Sequence, residues 1–215
     1  MDGNGRWAKA RLMPRSFGHK KGMERMIDLV EHAFDRGVKT ITVYALSTEN
    51  LFRPQEEVDA LFGLFRSYFS KYAKKLIEKR CRLTVLGDVK ALPDDVQALI
   101  ADAEKESEKF EEHRVNIALN YGARAEIARA VNQAITAGKP ITEAEFSDLL
   151  YTAGQGDVDL IIRTGKEKRL SNFLLWQAAY AELYFSDKMF PDFTNENFDE
   201  ALADYAARTR RFGKV

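Results

Sequence analysis

Cysteine is almost absent: Cys81 stands alone among 215 residues. A single thiol excludes an internal disulfide framework, and no CxxC or Cys/His spacing offers a zinc site. Its expected place is that of a small apolar residue near the start of a strand. Long hydrophobic runs are missing too, so no stretch reads as a transmembrane helix. The opening residues are polar and carry Arg6, Lys9, Arg11 and Arg15 without an apolar core, which is not the pattern of a signal peptide. The cytoplasm is therefore the expected compartment, with peripheral membrane association left open to an enzyme that handles an apolar substrate. An excess of charge of one sign is also lacking. Lys+Arg and Asp+Glu stand at 33 each, so the total predicts neither nucleic acid nor a membrane surface as partner. Basic residues clustered in space would still suit an anionic substrate. No internal repeat, low-complexity tract or Gly/Ser linker divides the chain, which predicts one domain over residues 1–215.

What is present is ordinary in bulk, with 45% apolar and 31% charged residues. Its order is informative. Short β-branched or aromatic runs at 40–47, 82–87, 115–121 and 158–164, and a shorter one at 181–185, read as strands. Between them, amphipathic segments at about 20–36, 55–80, 93–110, 124–138, 142–152 and 195–211 read as helices, with Pro54 and Pro93 as starts and Gly37 and Gly138 as stops. Such alternation predicts an α/β fold with a mostly parallel central sheet flanked by helices. Ligands of such sheets sit beyond the carboxyl ends of strands. Three polar segments fall there: Ser47-Thr48-Glu49-Asn50, Asn120-Tyr121-Gly122 and Arg163-Thr164-Gly165. The chain opens directly on another polar segment, so most of any strand feeding it is expected to be missing from this sequence.

That opening segment, Asp2-Gly3-Asn4-Gly5-Arg6-Trp7, joins two glycines, a carboxylate and a guanidinium. Glycines let backbone N–H groups approach an anion, and arginine grips phosphate oxygens in bidentate fashion. Asp2 suits Mg²⁺, which favours one or two carboxylates plus substrate phosphates. Gly3-x-Gly5-x-x-Ala8 also matches a dinucleotide fingerprint, which requires a helix starting within the glycines and an acid ending the next strand. Pro14 and the basic run 9–15 interrupt that helix, and Glu24 and Asp28 fall within a helical pattern, so the match reads as accidental. A Walker-type Gly-x-x-x-x-Gly-Lys-Ser/Thr loop is absent. A second anion site is expected in 163–172, where Arg163, Arg169 and Ser171 precede the apolar run Phe173–Trp176, read as a helix start. The segment 55–80 carries an apolar stripe broader than one buried face requires, which leaves room for lining an apolar tunnel.

These segments, in order, resemble the cis-prenyltransferase family, particularly bacterial undecaprenyl diphosphate synthases. The matching blocks are residues 1–8, 18–22, 44–50 with Arg53-Pro54, 119–122 with Arg124, 159–165, 169–177, 181–185 and 191–193, followed by Arg210-Arg211-Phe212-Gly213. The resemblance implies repeated condensation of isopentenyl diphosphate onto an allylic diphosphate such as farnesyl diphosphate, with cis double bonds. It implies that Gly3, Asn4, Gly5, Arg6 and Trp7, with Arg15 and His19, hold the allylic diphosphate. Arg163, Arg169, Leu170 and Ser171 would hold isopentenyl diphosphate. Asp2 and Glu182 would serve Mg²⁺, while Asn50, with Ser47, Thr48, Glu49 and Arg53 nearby, would sit where the proton leaves. The family's homodimers would give Arg210 or Arg211 a role at the partner's site. The chain departs from the family at Leu51, Ala123 and Lys166, where Trp, Gly and Gly are usual. A non-catalytic partner subunit is the competing reading, countered by the presence of Asp2, Gly3, Gly5, Arg6 and His19. An NAD-binding oxidoreductase rests on the glycine match alone. Paired Asp-Asp-x-x-Asp motifs of the trans-acting synthases are absent, since Asp94-Asp95-Val96-Gln97-Ala98 breaks the pattern.

Overall fold

The computed structural model describes residues 1–209. The chain divides into two compact units, the first built from 1–38, 157–170 and the residues after 176, the second from 39–156 and 171–176.

In the second unit, β1 (Thr40–Ser47), β2 (Cys81–Leu86) and β3 (His113–Tyr121) form a parallel sheet in the order β1-β3-β2. Position explains composition here. Central β3 buries Val115, Asn116, Ala118, Leu119, Asn120 and Tyr121, the near-continuous burial of a strand covered on both faces. Its mid-strand Asn116 is tied laterally through its amide nitrogen, which donates to Thr42 Oγ1 at 3.1 Å and Gln155 Oε1 at 2.6 Å. Cys81 opens β2, fully buried, as its type predicts. Helices α3 (Gln55–Glu78) and α4 (Asp94–Ser107) pack on β2. Each follows a proline and carries acids in its first turn, Glu56 and Glu57 in one and Asp94 and Asp95 in the other, which complement the helix dipole. Helix α3 buries Val58, Phe62, Phe69, Ala73, Leu76 and Ile77, while Leu61, Leu64, Phe65, Tyr68 and Tyr72 remain half-buried on its flank. Helices α5 (Ala123–Thr136) and α6 (Glu143–Ser147) complete the unit. The expected helix over 142–152 is only five residues long. Its Thr142–Glu145 capping box starts it, and turns follow from Asp148.

In the first unit, β4 (Leu160–Arg163) and β5 (Glu182–Phe185) pair in parallel, with α1 (Asn4–Ala10), α2 (Arg15–Asp35) and α7 (Asn195–Ala207). Helix α2 starts five residues earlier than its pattern predicts and ends before Gly37, whose φ of 84° is left-handed. Helix α7 starts on a Thr194–Asn197 capping box. The expected end of that helix at 211 lies outside the described residues, as do Arg210 and Arg211.

Two local expectations fail. The helix read as interrupted in the opening segment does form: α1 begins at Asn4, with Gly3 at its N-cap in a left-handed conformation (φ 104°). The basic run shortens this helix without abolishing it. The fingerprint still fails, because the next strand, β1, ends on Ser47 rather than on an acid. The run after Arg169 is not a helix either; residues 171–180 form consecutive turns, with Ser171, Asn172 and Leu174 at positive φ. Hydrogen bonds to β3 and α5 hold this segment away from helical geometry. No local pattern reports them.

Candidate active site

In the first unit the site is built around the carboxylate of Asp2. Its main chain is clamped by Thr164, whose Oγ1 accepts the Asp2 N–H at 3.1 Å and donates to the Asp2 carbonyl at 2.9 Å. Phe190 N–H adds a third bond to that carbonyl at 3.0 Å. The side chain then reaches two guanidinium groups: Arg6 Nη2 donates to Oδ1 at 3.2 Å and Arg163 Nη2 to Oδ2 at 3.1 Å. Partial burial opposes the charge on Asp2, but these hydrogen bonds and the positive field outweigh it and hold its carboxyl below the usual range. Glu167 extends the chain of charges, accepting from Arg6 Nη1 at 3.1 Å and from Arg169 Nη1. Arg163 Nη1 also donates to the carbonyl of Arg169. Three arginines and two acids thus form one network at the carboxyl end of β4.

Close approach explains the glycines. A Cβ at Gly165 (φ 87°) would lie 2.8 Å from Arg6 Nη2 and 3.1 Å from the Asp2 carbonyl. A Cβ on Gly3 would stand 2.6 Å from Met189 Sδ, and one on Gly5 would stand 3.0 Å from Arg15 Nε. Arg15 therefore lies against the start of α1. Asn4 does not join the charged network. It packs into α2, where a Cβ on Gly18 would meet its carbonyl at 2.0 Å and one on Gly22 its Oδ1 at 2.4 Å. Trp7 also turns elsewhere, donating from Nε1 to Asp192 Oδ1 at 2.7 Å, with Arg11 stacked 4.2 Å above its ring centroid. His19 lies on α2, partly exposed.

Glu182 stands apart from Asp2. In the β4–β5 register it faces Leu160, whereas Arg163 faces Phe185 three residues further on, so Glu182 marks the opposite end of the pair. Arg208 Nη1 bridges its carboxylate at 2.6 Å. Asp2 and Glu182 are not brought together as a shared pair of metal ligands. Among the described residues no three His, Cys, Asp or Glu side chains gather to hold a metal ion.

The second unit carries a polar cluster of its own. A 3₁₀ turn over Thr48–Phe52 follows β1, closed by Ser47 and Asn50: Asn50 Oδ1 accepts the Ser47 N–H at 3.2 Å while the Ser47 side chain accepts from the Asn50 N–H. This capping box fixes the amide of Asn50 on the turn. Glu49 accepts from Asn172 Nδ2 at 2.9 Å. Desolvation opposes its charge, and hydrogen bonds led by Asn172 outweigh it, so its carboxyl is held below the usual range. Thr48 Oγ1 lies against Gly122, and Arg53 Nη1 pairs with Glu57 at 2.9 Å at the start of α3. Ser171 is exposed, and Leu170, the last residue of its segment in the first unit, is half-buried. Thr164, Glu167 and Asn172 received no role from sequence, although each stands inside a block that carried the resemblance. Their partners lie 161, 162 or 123 residues away, beyond any local signal.

An α/β fold with arginine forks and glycine-lined turns at the carboxyl ends of parallel strands is the equipment of an enzyme for phosphate-bearing substrates. A family model described as "Putative undecaprenyl diphosphate synthase" matches residues 1–213. The isoprenyl transferase of Aquifex pyrophilus is 46% identical over all of this chain and 94% of its own length, and that of Fusobacterium nucleatum subsp. nucleatum is 47% identical with the same coverage. The crystal structure of lavandulyl diphosphate synthase from Lavandula x intermedia, in complex with dimethylallyl diphosphate, superposes with a TM-score of 0.95 at 34% identity, covering 100% of this chain and 95% of that one. The chain belongs to the undecaprenyl diphosphate synthase family, and it is a cis-prenyltransferase.

Proposed function

We propose that this enzyme condenses isopentenyl diphosphate stepwise onto an allylic diphosphate, farnesyl diphosphate being the expected primer, to give a long-chain polyprenyl diphosphate such as undecaprenyl diphosphate. The observation that carries this reading is Asp2 gripped on both oxygens by Arg6 and Arg163, with Glu167 joining Arg6 to Arg169. When the allylic C–O bond breaks, negative charge builds on the departing diphosphate, and oriented guanidinium groups stabilise it. The allylic carbon then bonds to the terminal alkene carbon of isopentenyl diphosphate, and a proton passes to a diphosphate oxygen or a nearby carboxylate as the new cis double bond forms. Arg6 and Arg15, with the backbone at Gly3 and Gly5, serve the allylic diphosphate. Arg163, Arg169 and Ser171 serve isopentenyl diphosphate. Asn50, held on its turn by Ser47, orients the substrate for proton loss, because a neutral amide is too weak a base to take the proton itself.

Asp2 fits a magnesium ion, being an ionised, partly exposed hard oxygen donor beside cations that release it when phosphate oxygens arrive. Bound there, Mg²⁺ would neutralise the leaving diphosphate. Glu182, fixed by Arg208, is not placed with Asp2 in one chain, so most other ligands would come from the diphosphate and water. The half-buried flank of α3, including Phe65, Tyr68 and Tyr72, would line the path of the growing chain, and Ala45, small and exposed at the irregularity of β1, favours long products. No helix among the described residues is long and apolar enough to cross a membrane. A cytoplasmic homodimer touching membrane through its lipid product, supplying a carrier for cell-wall synthesis, completes the reading.

Incubation with labelled isopentenyl diphosphate, farnesyl diphosphate and Mg²⁺, followed by product sizing, tests it. A ladder of elongated products is expected. Absence of any elongated product from the folded protein would sink the proposal.

A further inference from the structure

The start of α5 lacks a cap of its own. Its N-cap is Gly122, which offers no side chain, and the first helical N–H groups need acceptors. Asn172 supplies two of them from 48 residues away: its carbonyl accepts the Ala123 N–H at 2.9 Å, and its Oδ1 accepts the Arg124 N–H at 2.8 Å. The other end of the same amide, Nδ2, donates to Glu49 Oε1 at 2.9 Å. Glycine at 122 is what admits this arrangement, because a Cβ there would lie 2.7 Å from both Asn172 Nδ2 and Thr48 Oγ1.

The backbone that presents Asn172 is held in a costly shape. Ser171, Asn172 and Leu174 have φ of 49°, 63° and 44°, a left-handed region that side chains disfavour. Such a run persists only where surrounding contacts determine it. Phe173 anchors it by stacking on Tyr44 at 4.6 Å between ring centroids and meeting Tyr121 edge-on at 6.3 Å, while Leu174 is buried. Ser171 directly precedes this anchored segment, and Asn50 directly follows Glu49.

We propose that Asn172 is a positioning residue that fixes the Ser171 hydroxyl and the Glu49–Asn50 turn in one register through a single side-chain amide. This inference rests on the reading of Ser171 as an isopentenyl diphosphate ligand and of Asn50 as the residue at the proton-loss step. Its two roles separate by substitution. Asn172→Asp keeps an acceptor for the Arg124 N–H, and a carboxylate at a helix start is favourable. It removes the donor to Glu49 and sets two carboxylates face to face.

Four proteins test the proposal: the wild type, Asn172→Asp, Glu49→Gln and the double variant. Thermal midpoints, kcat and separate KM values for isopentenyl and farnesyl diphosphates are measured on each. Asn172→Asp should raise KM for isopentenyl diphosphate by about tenfold or more and lower kcat, with KM for farnesyl diphosphate and the thermal midpoint nearly unchanged. The double variant should recover most of the loss, because the introduced amide at position 49 then donates to the introduced carboxylate. Unchanged kinetics in Asn172→Asp would overturn the proposal. So would a double variant no better than Asn172→Asp, or losses for both substrates that track a fall in thermal midpoint. A wild type that elongates nothing defeats the condensation reading instead. Calorimetric titration of isopentenyl diphosphate onto the same four proteins then decides the positioning role by the same order of affinities.

Discussion

Arg163 meets Asp2 at 3.1 Å although 161 residues separate them in sequence, and this ion pair joins the opening segment to the basic segment at the end of β4. Neither segment is convincing alone. A Gly-Asn-Gly turn is common, and a basic run usually faces solvent. Together, with Thr164 clamping the backbone of Asp2, they place a hard carboxylate among guanidinium groups, the arrangement on which the proposed diphosphate and magnesium site rests.

Asp2→Ala should lower kcat by on the order of a hundredfold or more while weakening allylic substrate binding much less, because the carboxylate acts as charge builds on the leaving group. Steady-state kinetics with a direct binding titration separates the two effects. Largely intact turnover would remove Asp2 from the metal site. The folded pKa of Asp2 lies below its ordinary 3.8, so its favourable contribution is full above that unfolded value and is lost as pH falls through the lower folded value. The stability difference between wild type and Asp2→Ala should therefore narrow only in acid, below about pH 4.

Lys166 occupies a left-handed conformation, φ 65°, at a position where the family usually carries glycine. Lys166→Gly relieves a strain of about 1–2 kcal/mol and costs about 0.4–1 kcal/mol in unfolded-chain entropy. The net expectation is a gain between about zero and about 1.6 kcal/mol, a rise in Tm of several degrees at most. Scanning calorimetry checks the sign; a clear fall in Tm would show that the Lys166 side chain contributes more than its backbone costs.

Tyr121 is fully buried, and its hydroxyl donates to buried Glu126 Oε2 at 2.6 Å while Glu126 Oε1 accepts the Tyr151 N–H at 2.7 Å. Burial, then the charge of Glu126, pushes the Tyr121 hydroxyl far up, so it keeps its proton and donates. Tyr121→Phe leaves one carboxylate oxygen without that donor and should cost about 1–3 kcal/mol. Urea unfolding should show a lower midpoint with an unchanged slope.

Cys81 is fully buried, and burial pushes its thiol up to about 12. The native protein at pH 8 should react with a thiol reagent far more slowly than the denatured protein, since the thiolate is the reactive form. Rapid native labelling at pH 8 would contradict that burial.

Much was legible because it is local. Residues 40–47, a β-branched and aromatic run, become β1 over the same span, and Pro54 and Pro93 start helices because a fixed φ and a missing N–H are harmless in a first turn. The glycines at 18, 22, 122 and 165 were visible, but no local pattern explained them. Gly18 and Gly22 lie within α2 and let it meet Asn4. The helix expected after Arg169 failed because its apolar run fits a helix pattern equally well, while Phe173 finds its partners in Tyr44 and Tyr121, 129 and 52 residues away in the chain.

The sequence by itself determined the α/β class, the order of the strands, the family and the identity of the charged residues, because periodicity, caps and ordered motifs are written within a few residues of one another. Only the tertiary structure decided which charges meet. It joined Asp2 to Arg163 and Arg6, and Asn172 to Glu49 and the start of α5, and it set Glu182 at the far end of the β4–β5 pair. The physical reason is that a hydrogen bond or ion pair depends on distances of about 3 Å, and those are fixed by strand register and helix packing rather than by spacing along the chain.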